Sequence, residues 1–174
     1  MNKILNYLVR GIMITSVCLS VQAVAADAKP ADAEGQISID VPVTLKAANV
    51  VFNMDHVALN GDLPIGMKYM ELLNKKMKAD KTSGKIIGIF HGPAAYMTLN
   101  DQAYNANRKV TTGNPYKGLV EGLIASGIQI EECAVSMKGN NWTNKDLLPG
   151  VKVNTGAIGR LIQLTQEGYV QIQP

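Results

Sequence analysis

The chain has 174 residues, 17 basic against 14 acidic, for a formal net charge of +3. That length holds one domain plus an extension, and the nearly balanced charge, without a basic block, gives no footprint for nucleic acid. Its longest apolar run falls short of the roughly 20 residues that a membrane-spanning helix needs.

Lys3 and Arg10 form a basic start, Gly11 to Val21 a short apolar core, and Ala23-Val24-Ala25 the small-x-small pattern of a cleavage site. Residues 1–25 are therefore predicted to be a secretory signal peptide, residues 26–47 a leader rich in Ala, Asp and Pro, and residues 48–174 the folded domain of a periplasmic protein. Cys18 leaves with the signal, so Cys133 becomes the mature chain's single thiol. A lone exported cysteine cannot close an internal disulfide, which points to intermolecular pairing or to a reactive function. With Lys3 and Arg10 removed, 15 basic residues face 14 acidic ones, a net charge of about +1.

Ile37, Ile39, Val41 and Val43 alternate, but Pro42 limits any strand there to a short or edge one. Asn49 to Asp55 is the first core strand, its Val50-Val51-Phe52 run suited to burial on both faces. A loop with Gly61, Asp62 and Pro64 precedes a helix over Pro64–Lys78, with Ile65, Tyr69, Leu72, Leu73 and Met77 predicted inward. Lys85 to Phe90 is a second buried strand ending in His91-Gly92-Pro93, and Ala94 to Leu99 a helical turn. The polar stretch from Asn100 to Asn114 has weak patterning. A helix over Tyr116–Ala125 follows, with Leu119, Leu123 and Ile124 inward and Gly127 closing it. The strand in GIQIEECAVSMKG delivers Cys133 to its end. After a turn at Asn144–Leu148 come a small strand at Val151–Val153, a helix capped by Thr155 with Ile158, Leu161, Ile162 and Thr165 inward, and a last strand at Tyr169–Ile172. Alternating β and α units of these lengths predict a three-layer, doubly wound, mainly parallel α/β sheet.

Three strand tips carry polar residues: Asn53-Asp55-His56, His91-Gly92 and Glu132-Cys133. If the strands are neighbours, Asn53, His56, His91, Gly92 and Cys133 share one rim, where α/β sheets place ligands. A histidine or a helix N-terminus beside the thiol favours thiolate, whereas Glu131 and Glu132 oppose it. Strand parity puts Glu131 on the Cys133 face and Glu132 on the other. On residue type alone Cys133 reads first as a small buried hydrophobe, and its position and the predicted export bring the functional reading level with that one. A third reading is a zinc or copper site of His56, His91 and Cys133 with Met54 or Met137, although no close pair of ligands marks one. The methionines at 67, 70 and 77 read as core filling. Phosphate-binding glycine loops and a serine-hydrolase elbow are missing.

The segments VVFNMD, KIIGIFHGPA, the Cys133 stretch, DLLPGVKV and TGAIGRLIQLTQEGYVQIQP resemble the DsrE/DsrF-like family, which includes the sulfur-relay subunits DsrE and TusD, and most nearly an exported branch of it. The resemblance covers Asn49 to Pro174 and implies a doubly wound α/β fold and a homotrimer or hexamer. It implies that Cys133, at the position of the relay cysteine, carries sulfur as a persulfide. The partners would then be a sulfur donor or acceptor thiol protein or a small sulfur compound, with no bound cofactor and no membrane contact after signal cleavage. The alternative from another class is a non-enzymatic module that holds a small ligand at the same rim. Half-polar strands at Cys133 and at the C-terminus are expected on one side of the sheet, at a subunit boundary.

Overall fold

The two continuous apolar runs, Val50–Met54 (β1) and Ile86–Phe90 (β4), pair in parallel at the centre of a five-stranded sheet, and every residue of both is buried. They are seen in a computed structural model that describes residues 37–174; the predicted signal peptide and most of the leader lie outside the described residues. A two-residue hairpin, Leu59–Asn60 (β2) with Leu63–Pro64 (β3), leads into helix α1 (Ile65–Ala79). After β4 come a 3-10 segment (Gly92–Thr98), α2 (Asp101–Arg108), α3 (Lys117–Ala125), β5 (Gln129–Cys133) and α4 (Ala134–Gly139). A 3-10 turn (Asn144–Asp146), β6 (Lys152–Asn154), α5 (Ala157–Gln166) and β7 (Val170–Ile172) complete the chain.

The strand order is β6-β5-β4-β1-β7 and every pairing is parallel. The chain steps outward from β1 through β4, β5 and β6, then crosses back to place β7 on the far side of β1. Right-handed crossovers put connections of opposite direction on opposite faces. Accordingly α1 and α3 pack Met67, Met70, Met77, Val120 and Leu123 onto Phe52, Phe90 and Ile130, while α5 packs Ala157, Leu161 and Leu164 onto Val51, Ile87 and Ile89. Among the described residues, α5 is the helix of that second face.

Several local expectations shift. The segment from Ile37 to Val43 forms no strand, and its apolar side chains are exposed. On α1 the buried stripe is Gly66, Met67, Met70 and Met77, so Tyr69 and Leu72 face outward; on α3 Val120 joins Leu123 inside, with Leu119 and Ile124 half-buried. On α5 the stripe is Ala157, Leu161 and Leu164, leaving Ile158 66 % and Ile162 55 % exposed, with Thr165 exposed too. Thr155 does not cap α5; the cap position is Gly156, without a side-chain bond. The weakly patterned stretch resolves into α2, capped by Asn100, whose Oδ1 accepts the Ala103 N–H at 2.9 Å. Asn114 closes that stretch, its buried amide donating to the carbonyls of Met97 and Leu99. The half-polar strands β5 and β7 lie on opposite sides of the sheet, because β1 and β4 separate them.

Candidate functional site

Strands β5, β4 and β1 are neighbours, so their carboxyl ends do line one edge of the sheet. Cys133 ends β5 and α4 begins at the next residue. The thiol is 4 % exposed and sits in the apolar cluster with Val51, Ile87, Ile89, Ala157, Leu161 and Leu164. It is thus more enclosed than the open position expected for a reactive sulfur, yet its surroundings are not purely apolar. The Ala157 N–H at the start of α5 donates to Sγ at 3.3 Å, and the N–H groups of Val135 and Ser136 and the Ser136 hydroxyl also point at it. Burial pushes the thiol up, but these donors outweigh it and hold Cys133 below the ordinary thiol value.

Ser136 joins the thiol to the neighbouring strand tip, since its Oγ accepts the Gly92 N–H at 2.9 Å. No hydrogen bond links either histidine to Cys133 among the described residues. His91 and His56 belong instead to a second network. Gln173 donates from Nε2 to the Asp55 carboxylate at 2.8 Å, Asn53 donates from Nδ2 to Gln173 Oε1 at 2.6 Å, and His91 Nε2 lies 2.7 Å from Asn53 Oδ1. An ionised carboxylate only accepts, so each amide in the chain is oriented in turn and the His91 proton must sit on Nε2. Burial holds His91 below its ordinary value, against the pull of Asp55. His56 is solvent-facing and pairs with Asp55, whose own carboxyl it holds low.

The residues of the third reading are not brought together. His56 is turned to Asp55 and Gln173, Met54 is buried against Gly66, and Met137 packs with Leu99, Tyr104 and Leu147. Among the described residues no three His, Cys, Asp or Glu side chains come together as a ligand group.

Glu131 and Glu132 have opposite fates, as parity requires. Glu131 shares the thiol's face and meets the α5 residue Arg160, with Nη2 to Oε1 at 2.9 Å and Nε to both oxygens at 3.1–3.2 Å; Gln129 and Asn154 donate to it as well. Burial pushes its carboxyl up, and Arg160 with the two amides brings it below the ordinary carboxylate value. The pair forms part of the wall of a cleft of about 530 Å³ at the β5–β6 edge, with Lys152, Asn154, Gly156 and Gln163. Asn53 and His56 border a closed crevice, and Asn53 also lines an open groove of about 390 Å³ with Ile158, Leu161 and Ile162 of α5.

Comparison with known proteins bears on the whole domain. The DsrE/DsrF-like family matches residues 44–174. The chain belongs to the DsrE/DsrF-like family. Members are generally connected with sulfur relay. Among solved structures, a protein of unknown function from Methanobacterium thermoautotrophicum, MTH1491, superposes with a TM-score of 0.54 at 22 % identity, covering 73 % of this chain and 99 % of its own. The ychN protein of E. coli gives 0.52 at 16 % identity, covering 72 % and 99 %. At such identities they establish the fold alone. No curated protein matches. Within this DsrE/DsrF-like domain, the residues that sequence reasoning passed over are Ser136, Arg160, Asn154 and Gln173. Only Ser136 carried a sequence signal, being three residues from the thiol at the spacing of one helical turn.

Proposed function

We propose that the protein is an exported sulfur-handling protein in which the Cys133 thiolate accepts sulfane sulfur as a persulfide and passes it to an acceptor thiol. The observation that carries this reading is the set of N–H and hydroxyl donors around Sγ, which favours the nucleophilic form of the mature chain's predicted single thiol. With a persulfide donor R–S–SH, the thiolate attacks the terminal sulfur. A new S–S bond forms on Cys133, the S–S bond of the donor breaks, and RS⁻ leaves with its electron pair while the proton stays on the transferred sulfur. Attack by the acceptor thiolate reverses these steps, so the cycle needs neither net oxidation nor a cofactor. Gly92 and Ser136 fix the thiol's surroundings, and the oriented chain of Asp55, Gln173 and Asn53 holds His91 at the adjoining tip.

The test is intact mass after incubation of residues 26–174 with polysulfide. Wild type is expected to gain the mass of added sulfur and Cys133→Ser to gain none; an unmodified wild type, or an equal adduct on the variant, overturns the reading.

A second reading, a small-ligand module, is favoured by one observation. Among the described residues, Asn154 Oδ1 is a buried acceptor without a hydrogen-bond partner, on a residue that lines the cleft. Under that reading Cys133→Ala leaves ligand-induced thermal stabilisation intact.

The proposal includes a homotrimer or hexamer. Its support is the apolar surface left on the outside of α1, α5 and β7: Tyr69, Leu72, Ile158, Ile162 and Val170. Light scattering at micromolar concentration is expected to give three or six chain masses, and a single-chain mass that does not change with concentration rules this out.

A further inference from the structure

Glu132 is 0 % exposed, on the face of β5 opposite the thiol, and the sulfur chemistry above makes no use of it. Its neighbours across the strands are Phe90 on β4 and Val153 on β6. The groups that meet its carboxyl are the Thr98 hydroxyl, with Oγ1 2.7 Å from Oε2, and the Cys133 N–H, 3.1 Å from Oε1. Among the described residues no Lys, Arg or His pairs with it, and Glu131 points to the other face, toward Arg160. An ionised carboxylate in this position would be a buried charge without a counter-ion, which desolvation strongly disfavours.

The hydroxyl supplies a second, independent argument. Thr98 Oγ1 lies 3.1 Å from the Ala95 carbonyl as well as 2.7 Å from Glu132. A threonine hydroxyl has one proton, and a carbonyl cannot donate. Both contacts are full two-centre hydrogen bonds only if Thr98 donates to Ala95 and Glu132 donates to Thr98, which places the proton on Glu132 Oε2. The order is then Glu132 O–H to Thr98 O–H to Ala95 C=O, with Glu132 Oε1 accepting from Cys133.

We infer that Glu132 is carried as a neutral carboxylic acid and is the positioning residue that ties the Cys133 main chain to the Gly92–Thr98 segment. Burial pushes its carboxyl up to about 9 against the smaller pull of Thr98 and the Cys133 N–H, and a thiolate at Cys133 adds to the rise. One acid thereby fixes two things at once: the point where β5 turns into α4, and the 3-10 segment whose first N–H holds Ser136. Because it is uncharged, it does so without repelling a thiolate one residue away. The protonation state stands by itself; the consequence for reactivity rests on the thiol reading proposed above.

The experiment compares wild type with Glu132→Gln and Glu132→Ala. Glutamine is never charged, keeps an oxygen for the Cys133 N–H and offers an N–H to Thr98. A wild-type-minus-Glu132→Gln infrared difference spectrum at pH 7 is expected to show a protonated-carboxyl stretch, which disappears as the pH is raised past about 9. Alkylation of Cys133 by iodoacetamide at pH 7 is expected to stay within about twofold of wild type in Glu132→Gln, and to slow about tenfold in Glu132→Ala, a rise of about one unit in the thiol. Carboxylate bands for Glu132 at pH 7 overturn the inference. So does a folded Glu132→Gln that alkylates more than a few-fold slower, or a folded Glu132→Ala that alkylates like wild type. If Glu132→Ala does not fold, the infrared result and Glu132→Gln decide. A wild type that takes up no sulfur but gives these spectra and rates sinks the proposed function and leaves this inference standing.

Discussion

Arg160→Ala is expected to destabilise the fold by about 3 kcal/mol at pH 7, the low end for breaking a buried ion pair because the Arg160 side chain is itself partly exposed. The loss comes from Glu131, which is left charged on the inner face of β5 with only Gln129 and Asn154 to serve it. Its carboxyl is raised by burial and lowered below the ordinary value by Arg160 and the amides, with the lowering in excess. A carboxyl depressed in the folded state stabilises fully above its unfolded value, about 4.3, and ceases to do so as the pH falls through the folded value. The gap between wild type and variant should therefore be widest at neutral pH and close on acidification. Urea unfolding at pH 7 and at successively lower pH measures it. A gap under about 0.5 kcal/mol at pH 7 would show that the pair is surface-like. Replacing both partners, Glu131→Gln with Arg160→Met, should cost much less than Arg160→Ala alone, since no unpaired charge remains.

Gly84→Ala should cost a similar amount for an unrelated reason. Gly84 has φ +143°, and a Cβ there would lie 1.9 Å from the Ala48 carbonyl oxygen and 2.5 Å from its carbon. Both are main-chain atoms, so no side chain can swing aside. The clash falls where β1 and β4 begin to pair, between the bonds Ala48 N–H to Ser83 O (2.9 Å) and Val50 N–H to Lys85 O (2.8 Å). The two central strands have to part, at roughly 3 kcal/mol or more, which for a domain of this size lowers Tm on the order of 10 °C. Gly122→Ala is the control. Its Cβ meets nothing within 4 Å, and on α3 the change should stabilise by up to about 1 kcal/mol. A thermal melt of Gly84→Ala indistinguishable from wild type would refute the argument.

The sheet was legible because burial on both faces leaves a local mark: Val50 to Phe52 and Ile86 to Phe90 are apolar without interruption, and the strands are where those runs are. The opposite facing of Glu131 and Glu132 was legible too, since side-chain alternation in a strand follows from backbone geometry. Helix faces were harder. Ile158 and Ile162, like Tyr69 and Leu72, are apolar at helical spacing and were expected inside, but the sheet receives Ala157, Leu161 and Leu164, and Met67 and Met70. Small Ala157 and Gly66 contribute little to an apolar pattern although both are buried, so the true stripe is understated in the sequence. An apolar stripe also reports what is covered in the working assembly, and one chain cannot distinguish a core from a subunit contact. At the site, Cys133 was recognisable from its place at a strand end, whereas its partners were not. Arg160 meets Glu131 across 29 residues, and Asn53 meets Gln173 across 120; such pairs exist only once strand order is known. Enclosure of the sulfur was one of two readings open in the sequence, and α5, which follows the neighbouring edge strand β6, is what covers the thiol.

Having α5 as the helix over its face of the sheet has a thermodynamic corollary. The first N–H of that helix is a ligand of the sulfur, and its second turn is tied to Glu131 on the same strand. Deprotonating Cys133 changes the strength of the first of these ties, so it changes how firmly the helix is seated. Coupling of this kind is reciprocal: a contact on the outward ridge of Ile158 and Ile162 that shifts α5 alters the sulfur's proton affinity by the same free energy with which the sulfur's state alters that contact.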